Sequence, residues 1–276
     1  MLYVGECELM KKREKYYYDI ADELFKQKDI NKYAKINTIS KKGVSISETT
    51  IFSSNNPFNK EKGTYCSFVF NDLEDFSNYN ILLKYLKKYL KGFVEELVGL
   101  NNPKILFVGL GNENYVPDSL GPRVVKNIKA NYFFKKQIGC LIPGVMANTG
   151  METSDIIKGV LKCHDYDLII VIDSLSTSSI DRLNKTIQIT DTGISPGSGV
   201  NNNRKAINYK ELKTKVLTIG IATVIPYDKL IEEYLIKNNI KIPKKIDKNI
   251  YLTSKEIEVE IDYLALIISE VLNDII

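Results

Sequence analysis

Two largely apolar runs, residues 104–110 and 168–172, each lead into an aspartate with small polar neighbours. Unbroken apolar runs of this kind are typical of strands that are covered on both faces of a parallel sheet. The first run leads to Asp118, and the second leads directly to Asp173. Because ligands of such sheets bind beyond the carboxyl ends of the strands, we expect both side chains in one crevice. Paired carboxylates can share a proton and activate water, so the two aspartates are candidates for acid–base chemistry.

The periodicity alternates between strand and helix from residue 104 onwards. Predicted strands are 104–110, 138–142, 168–172, 186–189 and 216–221, and predicted helices start near Leu120 and cover 153–161, 229–236 and 255–274. This alternation predicts an α/β fold with a doubly wound, mostly parallel sheet and right-handed crossovers. Before it, residues 38–70 resemble β-strands and residues 79–98 an amphipathic helix. We therefore expect an N-terminal α+β extension over residues 1–100 and an α/β domain over residues 101–276.

The composition excludes several classes of protein. The 276-residue chain has 38 Lys and Arg against 34 Asp and Glu, and no basic stripe with interleaved aromatics, so no direct binding of nucleic acid is expected. No run reaches the roughly 18 apolar residues of a membrane helix, and no secretory signal is recognised, which predicts a cytoplasmic protein without a membrane partner. The four cysteines are dispersed and the single histidine, His164, lies in a polar turn, so we expect free thiols and neither a cofactor nor a metal site.

The segment Gly109-Leu110-Gly111-Asn112-Glu113-Asn114 begins like a dinucleotide-binding loop. Asn114 stands where the third glycine is required, so a tight turn is the better interpretation. Beyond this turn, local sequence leaves two roles open for Asp118. It is either a cap of the helix that follows or a catalytic carboxylate restrained by Pro117.

Two further aspartates need an explanation. Asp173 follows five apolar residues and needs a partner or a function; the nearby hydroxyls belong to Ser174, Ser176 and Thr177. Asp191 begins an Asp-Thr-Gly triad, the signature of pepsin-like proteases. Those enzymes are all-β and use two copies, so we expect Asp191 in a structural turn. The Gly/Ser-rich loop that follows it, up to residue 205, is suited to cradle a peptide or an anion with backbone N–H groups.

The aspartates and glycines discussed above belong to a series of longer motifs. The motifs are Gly109-Leu110-Gly111-Asn112, Pro117-Asp118-Ser119-Leu120-Gly121-Pro122, Pro143-Gly144-Val145-Met146-Ala147-Asn148-Thr149-Gly150-Met151-Glu152-Thr153, Ile172-Asp173-Ser174-Leu175, Thr186-Ile187-Gln188-Ile189-Thr190-Asp191-Thr192-Gly193-Ile194-Ser195-Pro196-Gly197-Ser198-Gly199-Val200, Asn203-Arg204-Lys205 and Leu252-Thr253-Ser254-Lys255-Glu256-Ile257. With them the chain resembles the spore germination protease family, whose members degrade small acid-soluble spore proteins during germination. The resemblance covers roughly residues 104–224 and 251–270, and the family's N-terminal segment matches residues 19–23 faintly.

The resemblance implies a hydrogenase-maturation-protease-like fold and an endopeptidase of aspartic type, with Asp118 and Asp173 as the catalytic pair. It implies small acid-soluble spore proteins as substrates, control as a zymogen, a homo-oligomer, and a place in the cytoplasm of the spore core. No cofactor or metal is implied. Residues predicted to bind substrate or support the pair are Asn112, Thr149, Glu152, Asp191, Ser198 and Arg204.

The chain also departs from the family's pattern. Ser119, Ser174 and Ala222 stand where the family usually has Ala, Ala and Pro, and the N-terminal half is short. Two alternatives therefore stay open. One is a metal-dependent homologue that processes another protein, since two carboxylates could hold a metal as in the related hydrogenase maturation proteases; those use a His ligand, however, and His164 lies before the strand rather than beyond it. The other is a non-catalytic homologue on the same scaffold that binds another protein.

Overall fold

The computed structural model describes residues 19–26, 30–57, 60–71, 73–99, 102–130, 138–197, 204–241 and 250–275. The strands are β1 (Ala34–Lys41), β2 (Val44–Ile51), β3 (Gly63–Phe70), β4 (Ile105–Gly109), β5 (Ile138–Leu141), β6 (Leu168–Ser176), β7 (Thr186–Thr190), β8 (Lys215–Pro226) and β9 (Tyr251–Leu252). The α-helices are α1 (Phe76–Val98), α2 (Leu120–Lys126), α3 (Met146–Thr149), α4 (Thr153–Cys163), α5 (Tyr209–Leu212), α6 (Tyr227–Lys237) and α7 (Ile257–Ile275). The described strands join in one sheet, in the order β1-β2-β3-β7-β8-β6-β4-β5, with β9 on β8.

A parallel block of four strands, β5-β4-β6-β8, forms one half of this sheet. Alternate residues of its strands enter two separate cores. Ile105 and Phe107 pack with α1, α2 and α7 on one face, whereas Leu106 and Val108 pack with α4 and α5 on the other. Burial on both faces explains why these strands are apolar at every position. The α/β architecture with helices on both faces is confirmed.

The other half of the sheet is antiparallel. Strand β7 lies between β8 and β3, and β2 and β1 continue the sheet to its edge. The β-like residues 38–70 thus supply three strands, and the β3–β7 pairing joins them directly to the parallel block. One face of this half packs on α1 through Ile46, Phe68 and Leu86.

Strand β6 is longer than predicted. It was expected to end at residue 172 but runs to Ser176, because its partner β8 continues to Pro226 and the two remain paired, with a register shift between Leu175 and Ser176. Asp173 therefore lies inside the strand and not beyond it. Its neighbours Ile172 and Ile170 face the α1 side, so Asp173 faces the opposite side of the sheet.

Two glycines bring α2 against the ends of β4 and β6. A Cβ atom on Gly121 would lie 2.3 Å from the carbonyl oxygen of Leu110 and 2.5 Å from that of Ile172. A Cβ atom on Gly109 would lie 2.4 Å from the carbonyl oxygen of Gly121. Neither position has room for a side chain. This close approach places the 3₁₀ turn Val116–Asp118, which precedes α2, beside the carboxyl end of β6.

Candidate active site

A cavity of about 340 Å³ opens where β4, β6 and β8 end. Its charged lining residues are Asp19, Asp118, Asp173 and Arg204. A second hollow, of about 290 Å³, shares Gly111, Gly144 and Val145 with it and continues past Asn112 and Asn148. The two predicted aspartates therefore do share one crevice, and the crevice is part of a longer groove.

Asp118 is fixed by the turn that carries it. The backbone N–H of Asn112 donates both to Asp118 Oδ2, at 2.9 Å, and to the Asp118 carbonyl oxygen, at 3.0 Å. Gly111 has a φ of 114°, and a Cβ atom there would lie 1.8 Å from the same carbonyl oxygen. Thr223 Oγ1 holds the other side of the turn through Pro117 O, at 2.7 Å. The N-cap of α2 is Ser119, so Asp118 does not cap this helix.

Asp173 is the more deeply buried carboxylate, with 7% of its surface exposed. Its Oδ1 accepts from the backbone N–H of Ser174 at 2.9 Å. The three hydroxyls predicted as its partners do not bind it: Ser176 Oγ donates to Asp19, Thr177 Oγ1 donates to Glu23, and the buried Ser174 Oγ has no hydrogen-bond partner among the described residues. Asp173 thus lines the cavity and accepts one hydrogen bond from the residues that the structure describes.

The two carboxylates are electrostatically coupled. Burial raises the pKa of Asp118 to about 6, although the Asn112 hydrogen bond and the positive charge of Arg204 oppose the shift. Burial raises the pKa of Asp173 well above its usual value, and the negative charges of Asp118 and Asp19 raise it further. Adjacent carboxyl groups of this kind favour a state with one shared proton. At neutral pH the arrangement therefore offers one acid and one base side by side.

The chain's own residues 19–23 are bound at one side of the same cavity, which Asp19 lines. Asp19 Oδ2 accepts from the backbone N–H of Ser176 at 2.9 Å and from its hydroxyl at 2.8 Å. Ile20 is fully buried against Leu175 and Ala222. Gln188 binds the backbone on both sides of Ile20, donating to Asp19 O at 3.0 Å and accepting from Ala21 N at 2.7 Å.

Two acidic side chains anchor the far end of this segment. Asp22 forms a two-pronged ion pair with Arg182, with N···O distances of 2.6 and 3.0 Å. Glu23 accepts from the Thr177 hydroxyl and from the backbone and hydroxyl of Ser178. Burial raises the pKa of Glu23 despite these hydrogen bonds. The segment is therefore bound by its backbone and by its side chains, as a peptide ligand would be.

The remaining predicted site residues differ in whether they reach the carboxylate pair or stabilise a turn, a helix end or a strand. Arg204 lines the cavity, and Asn112 reaches Asp118 only through its backbone. Thr149 closes its own turn by donating to Val145 O and accepting from Met151 N, and Glu152 is the N-cap of α4. Asp191 accepts from Thr64 N at 2.8 Å and so ties the end of β7 to β3. Ser198 lies outside the described residues.

The partners of the N-terminal segment were not found from the sequence. Gln188 and Ser176 sit in apolar or small-residue strands, and Lys60 in a polar loop, with no local pattern that marks them. Their role depends on contacts with residues more than forty positions away along the chain, such as Lys60 with Asp19 at a separation of 41. Only an aligned set of relatives or the fold itself reveals such pairs.

The described residues also bear on metal and membrane binding. Within the described ranges, no three His, Cys, Asp or Glu side chains are grouped so that they could hold a metal ion. Cys66, Cys140 and Cys163 are free thiols, and Cys7 lies outside the described residues. No helix in the described part of the chain combines the length and apolar character needed to cross a membrane.

Comparison with known proteins places the chain in a family. A germination protease family model matches residues 8–237. The chain belongs to the germination protease family. A relative from Priestia megaterium, named germination protease, is 41% identical over 179 residues, which cover 60% of this chain and 48% of that protein. A germination protease of Caldanaerobacter subterraneus subsp. tengcongensis is 36% identical over 229 residues, covering 67% and 70%.

The match is partial in length. The chain spans about half the length of the first curated germination proteases that it matches, namely 48% and 54%. Among solved structures, a [NiFe] hydrogenase maturation protease from Thermococcus kodakarensis KOD1 aligns with a TM-score of 0.38 and 16% identity, over 65% of this chain and 98% of that one.

Proposed function

We propose that this protein is an endopeptidase that hydrolyses small acid-soluble spore proteins during spore germination, with Asp118 and Asp173 as its catalytic pair. The observation that carries the proposal is the coupled carboxylate pair at the bottom of a groove, in a chain of the germination protease family. The groove continues past Asn112, which gives an extended peptide room on either side of the pair. No cofactor is required for this chemistry.

The two aspartates would take different catalytic roles because their proton affinities differ. The pKa of Asp118, about 6, leaves this carboxylate ionised at neutral pH, and Arg204 favours that charge. Asp118 therefore accepts a proton from the attacking water. Asp173 has the more strongly raised pKa and keeps its proton, which it donates during the reaction.

Residues 19–23 would act as an internal inhibitor in this scheme. Asp19 lines the cavity and Ile20 covers Leu175 and Ala222 beside it, so a substrate that uses this part of the site would displace them. This supports synthesis as a zymogen that becomes active when the segment leaves. By family resemblance, we place the protein in the cytoplasm of the spore core as a homo-oligomer with spore proteins as its partners.

A cleavage assay tests the proposal. Purified small acid-soluble spore protein is incubated with the full chain and with the Ile20→Glu variant, in which a charge is forced into the apolar site of Ile20. Discrete fragments should appear, faster with the variant, and their rate should survive EDTA. Binding without fragments from either protein would support the non-catalytic alternative. Loss of cleavage in EDTA, with recovery on addition of zinc, would support the metal-dependent one.

A further inference from the structure

One backbone carbonyl in the cavity is bound by two side-chain donors. The carbonyl oxygen of Asp19 accepts from Lys60 Nζ at 2.8 Å and from Gln188 Nε2 at 3.0 Å. This oxygen belongs to the peptide bond between Asp19, whose side chain binds Ser176, and Ile20, which is buried against Leu175 and Ala222. Side chains that converge on a carbonyl in this way lower the energy of negative charge on that oxygen.

The sheet register places this carbonyl site on the same face of the sheet as Asp173, and Asp19 lines the same cavity as the carboxylate pair. Asp173 on β6 is paired with Gly220 on β8, and Gly220 is paired with Gln188 on β7. Residues aligned across neighbouring strands point to the same face of a sheet, so Asp173 and Gln188 flank a position without a side chain. The Leu175 side chain fills that position, with Cδ1 2.4 Å from where a Cβ atom on Gly220 would lie, and Ile20 packs against Leu175. The peptide bond after Asp19 therefore lies next to Leu175, on the face of the sheet that carries Asp173 and Gln188.

Both donors are held in place. Gln188 also accepts from Ala21 N at 2.7 Å, which orients its amide so that the NH₂ group faces the carbonyl of Asp19. Lys60 is fixed at its backbone by Asn56, through hydrogen bonds of 2.6 and 3.3 Å, and its ammonium lies 5.5 Å from the centre of the Tyr65 ring. Burial lowers the pKa of Lys60, and the nearby charges of Asp19 and Glu23 oppose that shift.

We propose that Lys60 and Gln188 are further catalytic residues, which bind the carbonyl oxygen of the peptide bond under attack. The inference rests on the proposed protease function, because residues 19–23 are taken to show how a substrate peptide sits. Water adds to the carbonyl carbon as it loses a proton to Asp118, and the π electrons of the C=O bond move onto the oxygen. Lys60 and Gln188 stabilise the resulting oxyanion with two hydrogen bonds, one of them from a cation.

This assignment also leaves a specific role for Asp173 in the proposed mechanism. When the oxyanion collapses, the C–N bond breaks, and its electron pair takes the proton of Asp173 to give the amine. The other product is a carboxylic acid, which passes its proton to solvent. Because Lys60 and Gln188 polarise the carbonyl, Asp173 is left free to protonate the leaving nitrogen.

The first test uses the full chain in the Ile20→Glu background, with small acid-soluble spore protein as substrate. Lys60→Met should lower kcat about 10²–10³-fold with a smaller change in KM, because it removes a donor that acts mainly in the transition state. Gln188→Leu should lower kcat and also raise KM, since this residue binds the substrate backbone twice. The exposed neighbour Lys62→Met is the matched control and should be unaffected.

The second test needs no turnover. A peptide of residues 17–23 is compared with a phosphinate version, in which a tetrahedral, negatively charged phosphorus replaces the carbonyl carbon of Asp19. The phosphinate should bind the Ile20→Glu protein more tightly, and Lys60→Met should abolish most of that advantage. If the background protein cleaves and both donor variants match Lys62→Met, the carbonyl site is refuted and the protease function stands. If no cleavage occurs, an unchanged phosphinate preference in Lys60→Met still refutes it.

Discussion

The carboxylate pair and the segment 19–23 meet in one cavity, yet the chain holds them in opposite ways. Asp118 and Asp173 accept hydrogen bonds from backbone N–H groups six residues and one residue away. Asp19 and Gln188, by contrast, are 169 residues apart along the chain. The pair is thus built into the fold by local turns and by the ends of central strands. The segment is docked onto the finished sheet.

The carboxylate pair and residues 19–23 should also differ in the free energy needed to disrupt them. Removing the pair's hydrogen bonds would require rebuilding the turn before α2, whereas the segment can leave by breaking a limited set of side-chain contacts. Segments bound by few contacts open at a lower free energy than central strands do. The pair should therefore tolerate substitution without unfolding, and the segment should respond to substitution by undocking.

Replacement of either aspartate gives the largest expected effect. Asp118→Asn or Asp173→Asn keeps the shape of the site but removes a titrating group, so initial cleavage rates should fall at least ~10²–10⁴-fold. The double variant should be little slower than either single one, because the two groups act as a unit. Thermal melts should show that both variants remain folded, with Asp181→Asn as an exposed control. Near-normal rates in both single variants would remove the proposed mechanism.

The second largest effect is expected from undocking residues 19–23. Ile20→Glu places a charge where the native side chain is fully buried, so the docked state should be strongly disfavoured. The apparent affinity for a fluorescent peptide of residues 17–23 should rise at least about tenfold, because an occupied site weakens binding in proportion to its occupancy. Ile39→Glu, at a position 43% exposed, is the control. Equal peptide affinity in both variants would show that the segment does not compete for the site.

The pH dependence of the free energy of unfolding gives a further test of the carboxylate pair. The pKa of Asp118 in the folded protein is about 6, above its usual value of 3.8, so the folded state binds this proton more tightly than the unfolded chain does. The contribution of Asp118 to the free energy of unfolding should therefore fall as pH rises from about 4 to about 6. Urea unfolding across this range should show a shallower decline for Asp118→Asn. An identical slope for the two proteins would contradict the raised pKa.

The smallest effect is expected at Asp191. Its role is to accept a hydrogen bond from Thr64 N, and an amide oxygen can do the same. Asp191→Asn should therefore retain cleavage within a few-fold and shift the melting temperature only slightly. Asp191→Ala removes the acceptor and should lower the melting temperature more clearly. Complete loss of cleavage in a folded Asp191→Asn protein would instead place Asp191 in the catalytic set.

Local pattern in the sequence was enough to predict that Asp118 and Asp173 share one cavity. Asp118 and Asp173 stand out because each follows a run of apolar residues, and parallel strands bring their carboxyl ends to one edge. The end of β6 was misplaced because periodicity does not show that β8 continues beside it as far as Pro226. For Thr149 and Glu152 the support of substrate or of the pair stays a prediction, and the structure shows that their motif forms the turn and the N-cap before α4.

The docking of residues 19–23 could not be predicted from the sequence, for a different reason. Lys60, Gln188 and Ser176 have no apolar or polar periodicity that points to residues 19–21, and their meeting depends on the β3–β7 pairing that closes the sheet. Long-range pairing of this kind is decided by the whole set of strands. A single sequence shows each strand but not its order.

That same pairing has a consequence for how the molecule is made. Ala21 is synthesised 167 residues before Gln188, its partner in the site. Strand β7 must lie between β8 and β3 before that partner is in position, so β8 has to leave the ribosome first. The cavity around the two aspartates also needs β8, so the cavity and the docking site of residues 19–23 are completed together. In a cell, residues 19–23 therefore remain undocked until β8 has been synthesised, and the length of this interval is set by the rate of translation.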